Sequence, residues 1–315
     1  MSDKPAELLT PDAAGIARAA ALLRAGAPVA LPTETVYGLA ARADDAAAVA
    51  AIYRAKGRPD FNPLIVHVPD IGAARMLAMF DDRAEQLAAA FWPGPLTLVL
   101  PLRSDAAIAP AVTAGLPTVA LRCPAHPLMR AVLVESGLPL AAPSANRSGA
   151  VSPTSARHVA ASLGRRIAAI LDGGACENGV ESTIVAPRAD GSWQLLRHGP
   201  VTTDVLAGLL GQPPAPLADR QVEAPGQLAS HYSPGKPVRL DAGSAQGDEY
   251  CIGFGPIAGD TSLSASGDLA EAAAKLYAAL HLAAAAPQPR VAVAPVPEDG
   301  IGAAINDRLR RAAAG

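Results

Sequence analysis

Cysteine, aromatic side chains and long apolar runs are all scarce in this 315-residue chain, and each scarcity removes a class of protein. The three cysteines, Cys123, Cys176 and Cys251, lie far apart with no CxxC pair. They encode neither a disulfide framework nor a zinc site, and buried thiols are expected. Aromatics are 3% of residues while 50% are hydrophobic, so the core must be aliphatic. No run of eighteen strongly apolar residues occurs; the most apolar stretch, near 278–286, is alanine-dominated and broken by His281. The opening MSDKPAELL lacks the basic-then-apolar pattern of a secretory signal, so the chain reads as soluble and cytosolic. A surplus of positive charge is missing too: the formal net charge is −3, which argues against a broad nucleic-acid footprint.

Several familiar chemistries are also absent. No GxxxxGK[ST] phosphate loop, GxSxG elbow or HExxH pair occurs, and the six histidines show no metal spacing. Gly253-Phe254-Gly255 follows a strand-like run, but the third glycine position of a dinucleotide fingerprint holds Ala258, so it reads as a turn.

The length suits one large domain plus a smaller one. Thr10-Pro11-Asp12 resembles an N-cap, a proline at the first helical position and an acid, opening a helix to about Ala25. Strand-like runs follow at 28–32, 64–68, 96–101, 118–122, 168–174, 182–187 and 193–197. Helices are expected after Asp44-Asp45, ending at Lys56-Gly57, and after Asp81. This alternation predicts an α/β domain over 1–204. Residues 205–237 are rich in Pro and Gly, lack helical or strand periodicity, and read as a stiff, extended linker. A smaller αβ unit over 238–315 would carry strands at VRLDA, YCIGFG and VAVAPVP, and helices from Asp268 and through INDRLRRAA.

Polar clusters interrupt the apolar runs. Thr33-Glu34-Thr35-Val36-Tyr37-Gly38 directly follows a buried strand, where open α/β sheets hold ligands; a polar turn would look the same. Lys56 and Arg58, with Asn62 and His67 beyond, place two cations near a helix end, suited either to a polyanion or to capping that helix. Ser144, Asn146 and Ser152 lie in PSANRSG…SPT, whose second half reads as a helix start favourable to phosphate. Arg122 and Arg197 each end an apolar strand; a buried guanidinium needs a partner, which a ligand anion or an internal salt bridge would supply.

Taken together, PTETVYGLA, KGRPxxNPLIVH, FWPGPLTLVL, TVALRCPAHP, APSANRSGxxSPT, DGG…GVESTIV and LRHGP resemble the YrdC-like family of threonylcarbamoyl-AMP synthases over roughly 15–200. His231-Tyr232-Ser233-Pro234 and the tail GIGAAINDRLRRAA resemble its two-domain members. The resemblance implies a twisted mixed sheet with surrounding helices and a concave basic cleft, plus a Rossmann-like C-terminal αβ domain. It implies synthesis of L-threonylcarbamoyl-AMP from L-threonine, bicarbonate or CO2 and ATP, releasing pyrophosphate for tRNA modification. By motif, threonine would meet Thr35, Tyr37, His67, Arg122, the backbone of Ala142, and Ser182. ATP would meet Lys56, Arg58, Asn62, Thr118, Ser144, Asn146, Ser152 and Arg197, with Tyr232 closing over it from the linker. Lys56 and Arg58 would be the catalytic pair, neutralising phosphate charge with Mg²⁺ held by phosphate oxygens and water. Some relatives carry another cation where this chain has Asp60 and Phe61, which shifts weight onto Lys56, Arg58 and the metal. The product would pass to a tRNA-modifying partner, with tRNA binding weak at most. Two other readings use the same residues: a non-catalytic RNA- or ribosome-binding protein, and a carbamoyl transferase of the same fold with a different substrate.

Overall fold

The computed structural model describes residues 5–59, 61–217, 223–226 and 231–315. Helix boundaries follow from local capping chemistry. The helix Ala13–Arg24 starts at Asp12, whose carboxylate accepts the Gly15 N–H at 2.9 Å. Thr10 is therefore not the cap; its hydroxyl donates to Asp12 at 2.8 Å and orients it. Asp45 caps Ala46–Lys56 by accepting from Ala47 and Ala48, and Gly57, at φ 61°, ends that helix in the left-handed region. This termination leaves Lys56 on the last turn and Arg58 just beyond it.

Ten strands form one mixed sheet: β1 (Glu7–Leu9), β2 (Val29–Leu31), β3 (Gly38–Arg42), β4 (Ile65–His67), β5 (Leu96–Pro101), β6 (Thr118–Arg122), β7 (Leu140–Ala141), β8 (Ala169–Leu171), β9 (Thr183–Pro187) and β10 (Trp193–Arg197). Their order is β1-β8-β2-β3-β7-β4-β6-β5-β9-β10. The pairs β1–β8, β2–β8, β4–β6 and β5–β9 are parallel, and the rest antiparallel. Strands β1 and β3 were not anticipated: GLAAR is alanine-rich, and its pairing with β2 and β7 makes it a strand. Leu39, Val66, Leu98 and Leu121 join helix residues such as Val49, Ile52 and Leu87 in an aliphatic core, as the composition required. The buried thiols are also observed.

The region expected to be an aperiodic linker from 205 begins as a helix, Thr203–Leu210, whose Leu206 is buried in the main core. Its apolar spacing packs it there, so the connector starts after Leu210. The second sheet is wholly parallel: β11 (Val238–Arg239), β12 (Glu249–Gly253), β13 (Thr261–Ser262) and β14 (Arg290–Val293), in the order β11-β14-β12-β13. The helices Leu269–Ala285 and Gly302–Ala313 pack on it.

The two units share an apolar seam. Val36, Val151 and Val180 of the first unit and Tyr232 of the connector lie in one cluster with Ile252, Leu276, Tyr277 and Leu280. Gly179, at φ +68°, lets the backbone approach the helix Leu269–Ala285: a Cβ there would fall 2.3 Å from the Ala273 carbonyl oxygen.

Candidate active site

The sheet face above β4 and β6 is where most of the polar clusters converge. Ile65 and His67, two apart on β4, face the same side, and Arg122 on β6 is the register partner of His67. The Thr33–Val36 turn closes one end of this cleft. Residues Ala142–Ser144, Ser182, Arg197 and the connector residues Pro225, Gly226, His231 and Tyr232 close the rest. Most of these groups end or directly follow a strand: Thr33 after β2, His67 on β4, Arg122 on β6, Ala142–Ser144 after β7 and Arg197 on β10.

One half of the cleft is charge-compensated. Arg122 donates Nε to Gly94 O at 3.1 Å and Nη1 to Thr35 Oγ1 at 2.8 Å, and its Nη2 lies 2.6 Å from Glu34 Oε1. The last contact is an ion pair without the alignment of a directed hydrogen bond. Burial pushes the Glu34 carboxyl up, but the Arg122 charge outweighs it and holds Glu34 below the usual carboxylate range. Thr33 Oγ1 accepts the N–H groups of Thr35 and Val36, which fixes the Thr35 hydroxyl on Arg122. His67 is held down to about 3 by burial and then by Arg122, so its imidazole is neutral, and its Nδ1 has no partner.

The other half carries cations that, among the described residues, touch only neutral oxygens, with the Glu181 charge acting on Arg197 from beyond contact. Arg58 is bound by the carbonyls of Asn62 (3.3 Å) and Pro63 (3.0 Å). Arg197 donates to Ser182 O and Ser182 Oγ, both at 3.0 Å, and to Pro225 O at 3.3 Å. Burial pulls Arg58 down to about 10 and lowers Arg197 as well. Among the described residues, no carboxylate ion-pairs with Arg58 or Arg197. Two buried guanidiniums whose direct partners among the described residues are neutral oxygens suit an anion.

The structure thus brings together Thr35, Arg58, His67, Arg122, Ala142, Ser144, Ser182, Arg197 and Tyr232 around one cleft. The other sequence candidates do not line it. Lys56 is buried beneath the 143–149 loop, its Nζ donating to Ser144 O and Asn146 O. Burial, and then Arg58, depress its ammonium well below the normal value. Asn146 spans its own loop through Arg147 O (2.9 Å) and Ala150 O (2.7 Å), and the Asn62 carbonyl holds Arg58 and the Tyr53 hydroxyl. Tyr37 clamps the DGG turn, donating to Gly174 O (2.8 Å) and accepting the Gly173 N–H (3.0 Å). Thr118 starts β6, four residues and about 13 Å from Arg122. Ser152 sits behind the lining and donates to Glu181 at 2.7 Å. The helix-start reading also shifts: Ser155, not Ser152, caps Ala156–Leu163, and its hydroxyl already holds the His158 N–H of the first turn. Phe61 is exposed, and Asp60 lies outside the described residues.

Sequence reasoning missed four groups. Glu34 and Glu181 sat inside quoted motifs, yet nothing local revealed them as the carboxylates that meet buried arginines. His231 lines the cleft beside Tyr232, its ring 4.1 Å away. Arg308, in the tail, is fully buried against Glu181 at 3.1 Å. Burial raises Glu181, but Arg308, then Arg197, and the hydroxyls of Ser152 and Tyr277 bring it down to about 2. For a metal, no cluster of three His, Cys, Asp or Glu side chains occurs among the described residues. Glu34 and Glu181, the cleft carboxylates, are each committed to an arginine, so among the described residues the cleft offers no ready donor set for a resident ion.

Comparison with known proteins agrees over nearly the whole chain. Residues 21–199 match the Sua5/YciO/YrdC family model, described as telomere recombination. Residues 201–314 match the model described as the C-terminal domain of threonylcarbamoyl-AMP synthase. The threonylcarbamoyl-AMP synthase of Bacillus subtilis is 43% identical over 95% of this chain and 93% of its own length. That of Pyrococcus abyssi is 38% identical over 93% and 92%. The crystal structure of P. abyssi Sua5 complexed with L-threonine superposes with a TM-score of 0.90 at 34% identity, covering 99% of this chain and 98% of that one.

Proposed function

The chain belongs to the family of threonylcarbamoyl-AMP synthases, and from that premise we infer how its own residues divide the reaction. The enzyme makes L-threonylcarbamoyl-AMP from L-threonine, bicarbonate or CO2 and ATP, the first step of N6-threonylcarbamoyladenosine formation in tRNA. One observation supports the division of labour: Arg122 is paired with Glu34, whereas among the described residues no carboxylate ion-pairs with Arg58 or Arg197, whose direct partners there are neutral oxygens. The ion-paired half suits a zwitterion and the other half a polyphosphate.

Threonine accordingly sits at Arg122, Thr35, His67, Ser182 and the backbone of Ala142, its carboxylate on the free N–H groups of Arg122. Neutral His67 orients the amine. ATP lies along Arg58, Ser144 and Arg197, with Tyr232 over it. Lys56, Asn62, Asn146 and Ser152 act from behind, holding the loops that present these groups, and Tyr37 does the same for the DGG turn. The threonine ammonium gives one proton to bicarbonate, which becomes CO2 and water; the freed amine nitrogen bonds to the CO2 carbon as a C–O π pair moves onto oxygen, and its second proton passes to water, giving a carbamate. A carbamate oxygen then bonds to the α-phosphorus as the bond to the bridging oxygen breaks and pyrophosphate leaves. The protein aligns the reactants, excludes water from the carbamate and offsets the leaving-group charge.

Mg²⁺ enters with ATP, on phosphate oxygens and water. The catalytic unit extends to Leu210, a connector bears His231 and Tyr232, and the C-terminal unit follows from Val238. At a net charge of −3 the chain has little pull on tRNA, and the adenylate passes to a separate transferase in the cytoplasm. No helix among the described residues is long and apolar enough to cross a membrane.

The test is pyrophosphate release from Mg-ATP with each of threonine and bicarbonate omitted in turn. Release that needs both, with an adenylate of the expected mass, supports the reading; release without threonine refutes it. Arg58→Ala should raise the KM for ATP at least tenfold and leave that for threonine within threefold.

A further inference from the structure

Three charged side chains meet at the seam between the two units: Glu181, Arg197 and Arg308, all buried. Glu181 and Arg197 line the same cleft, and Arg197 grips Ser182, the residue next to Glu181. A buried carboxylate so placed would ordinarily make an ion pair with that arginine; Glu181 acts on it through its charge but makes no direct contact. Its Oε1 accepts from the Ser152 hydroxyl at 2.7 Å, and its Oε2 from the Tyr277 hydroxyl at 2.8 Å and Arg308 Nε at 3.1 Å. Two of these three donors come from the C-terminal unit.

Arg308 is placed to do more than fill space. Its Nη1 donates at 2.7 Å to the carbonyl of His198, the neighbour of Arg197, and lies 3.0 Å from Asp307. Asp307 in turn pairs with Arg311 at 3.0 Å. The direct ion pairs of the seam carboxylates thereby go to Arg308 and Arg311, and the Arg197 guanidinium stays on the cleft lining.

We propose that Arg308 is a positioning residue for the nucleotide: by holding the Glu181 carboxylate, it keeps Arg197 available to phosphate. This rests on the placement of ATP at Arg197. It gives the C-terminal unit a defined part in the reaction, because the cleft's free positive charge depends on a side chain from the last helix. Threonine binding depends on it far less, since Arg122 draws its partners from Glu34, Thr35 and Gly94, and Ser182 keeps its Thr97 contact when Arg197 moves.

The experiment is calorimetric titration of the full-length chain with Mg-ATP and, separately, with L-threonine, for Arg308→Met, Glu181→Gln, the double variant and Arg197→Met. Arg308→Met should weaken ATP at least tenfold as Glu181 turns to Arg197, with threonine affinity kept within threefold. The double variant should return ATP affinity to within threefold of the parent, because no carboxylate remains to capture Arg197. A purely structural role would weaken both ligands together, or neither, and would overturn the proposal, as would failure of the double variant to recover. If Arg308→Met does not fold, Glu181→Gln decides alone: ATP affinity equal to or above the parent supports the proposal, and a tenfold loss refutes it. Unchanged ATP affinity in Arg197→Met would instead remove the premise that ATP sits there.

Discussion

Replacing Gly179 with alanine tests whether the C-terminal unit is seated as closely as the structure has it. Two costs arise at this one position. At φ +68° an alanine meets left-handed backbone strain of roughly 1–2 kcal/mol. Its Cβ would also fall 2.3 Å from Ala273 O and 2.4 Å from Ala274 Cα, both backbone atoms of the helix Leu269–Ala285. That helix must then retreat by about 1 Å, an overpacking worth typically 1–3 kcal/mol. The sum, about 2–5 kcal/mol, corresponds to a Tm drop of roughly 3–8 °C for a chain of this size. Gly174→Ala is the control: its φ of +79° carries the same strain, but nothing lies within 4 Å of the added Cβ. Thermal unfolding followed by circular dichroism should place Gly179→Ala clearly below Gly174→Ala. Equal Tm values for the two variants would refute the close approach, because only strain would then be felt.

Three further outcomes follow from the same geometry. Tyr37→Phe removes the hydroxyl that ties Gly173 to Gly174, and urea unfolding should show a loss of about 1–3 kcal/mol with the KM for ATP unchanged. Thr97→Val deletes the buried hydroxyl 2.7 Å from Ser182 Oγ, and steady-state kinetics should show the KM for threonine raised a few-fold, since Ser182 loses one of its two anchors. Stability should fall in mild acid. Every histidine is held below its ordinary value, mainly by burial, with His67 at about 3 and His158 and His231 at about 4. The unfolded chain therefore binds more protons below the usual histidine value of about 6.5. Stability is complete above that pH and is lost as pH falls through the window down to about 4, where His158 and His231 protonate in the fold. Denaturation titrations at pH 7.5, 6, 5 and 4 measure the slope; a flat profile would contradict the burial of these rings.

Local chemistry was legible in the chain itself. Asp45 and Gly57 bracket their helix as their types dictate, and the runs at 96–101, 118–122 and 193–197 are strands because β-branched and leucine-rich segments fit a half-buried sheet. The motif set also fixed the family and gathered most of the cleft residues, because those groups follow strands and caps that the sequence specifies nearby. Pairing was not legible. Strands β1 and β3 are short segments made into strands by their partners, and the connector's first residues fold into the core because Leu206 finds a hydrophobic face there. Ser152 and Ser155 look alike in sequence, yet one meets Glu181 and the other caps a helix. Above all, Arg122 and Arg197 read identically, each a cation at the end of an apolar strand. Only the fold brings Glu34 to the first and lets Arg308, more than a hundred residues away, draw Glu181 from the second. Capping and periodicity act over a few residues and are written in order along the chain. Whether a buried charge is compensated depends on distances through space, which only the folded structure sets.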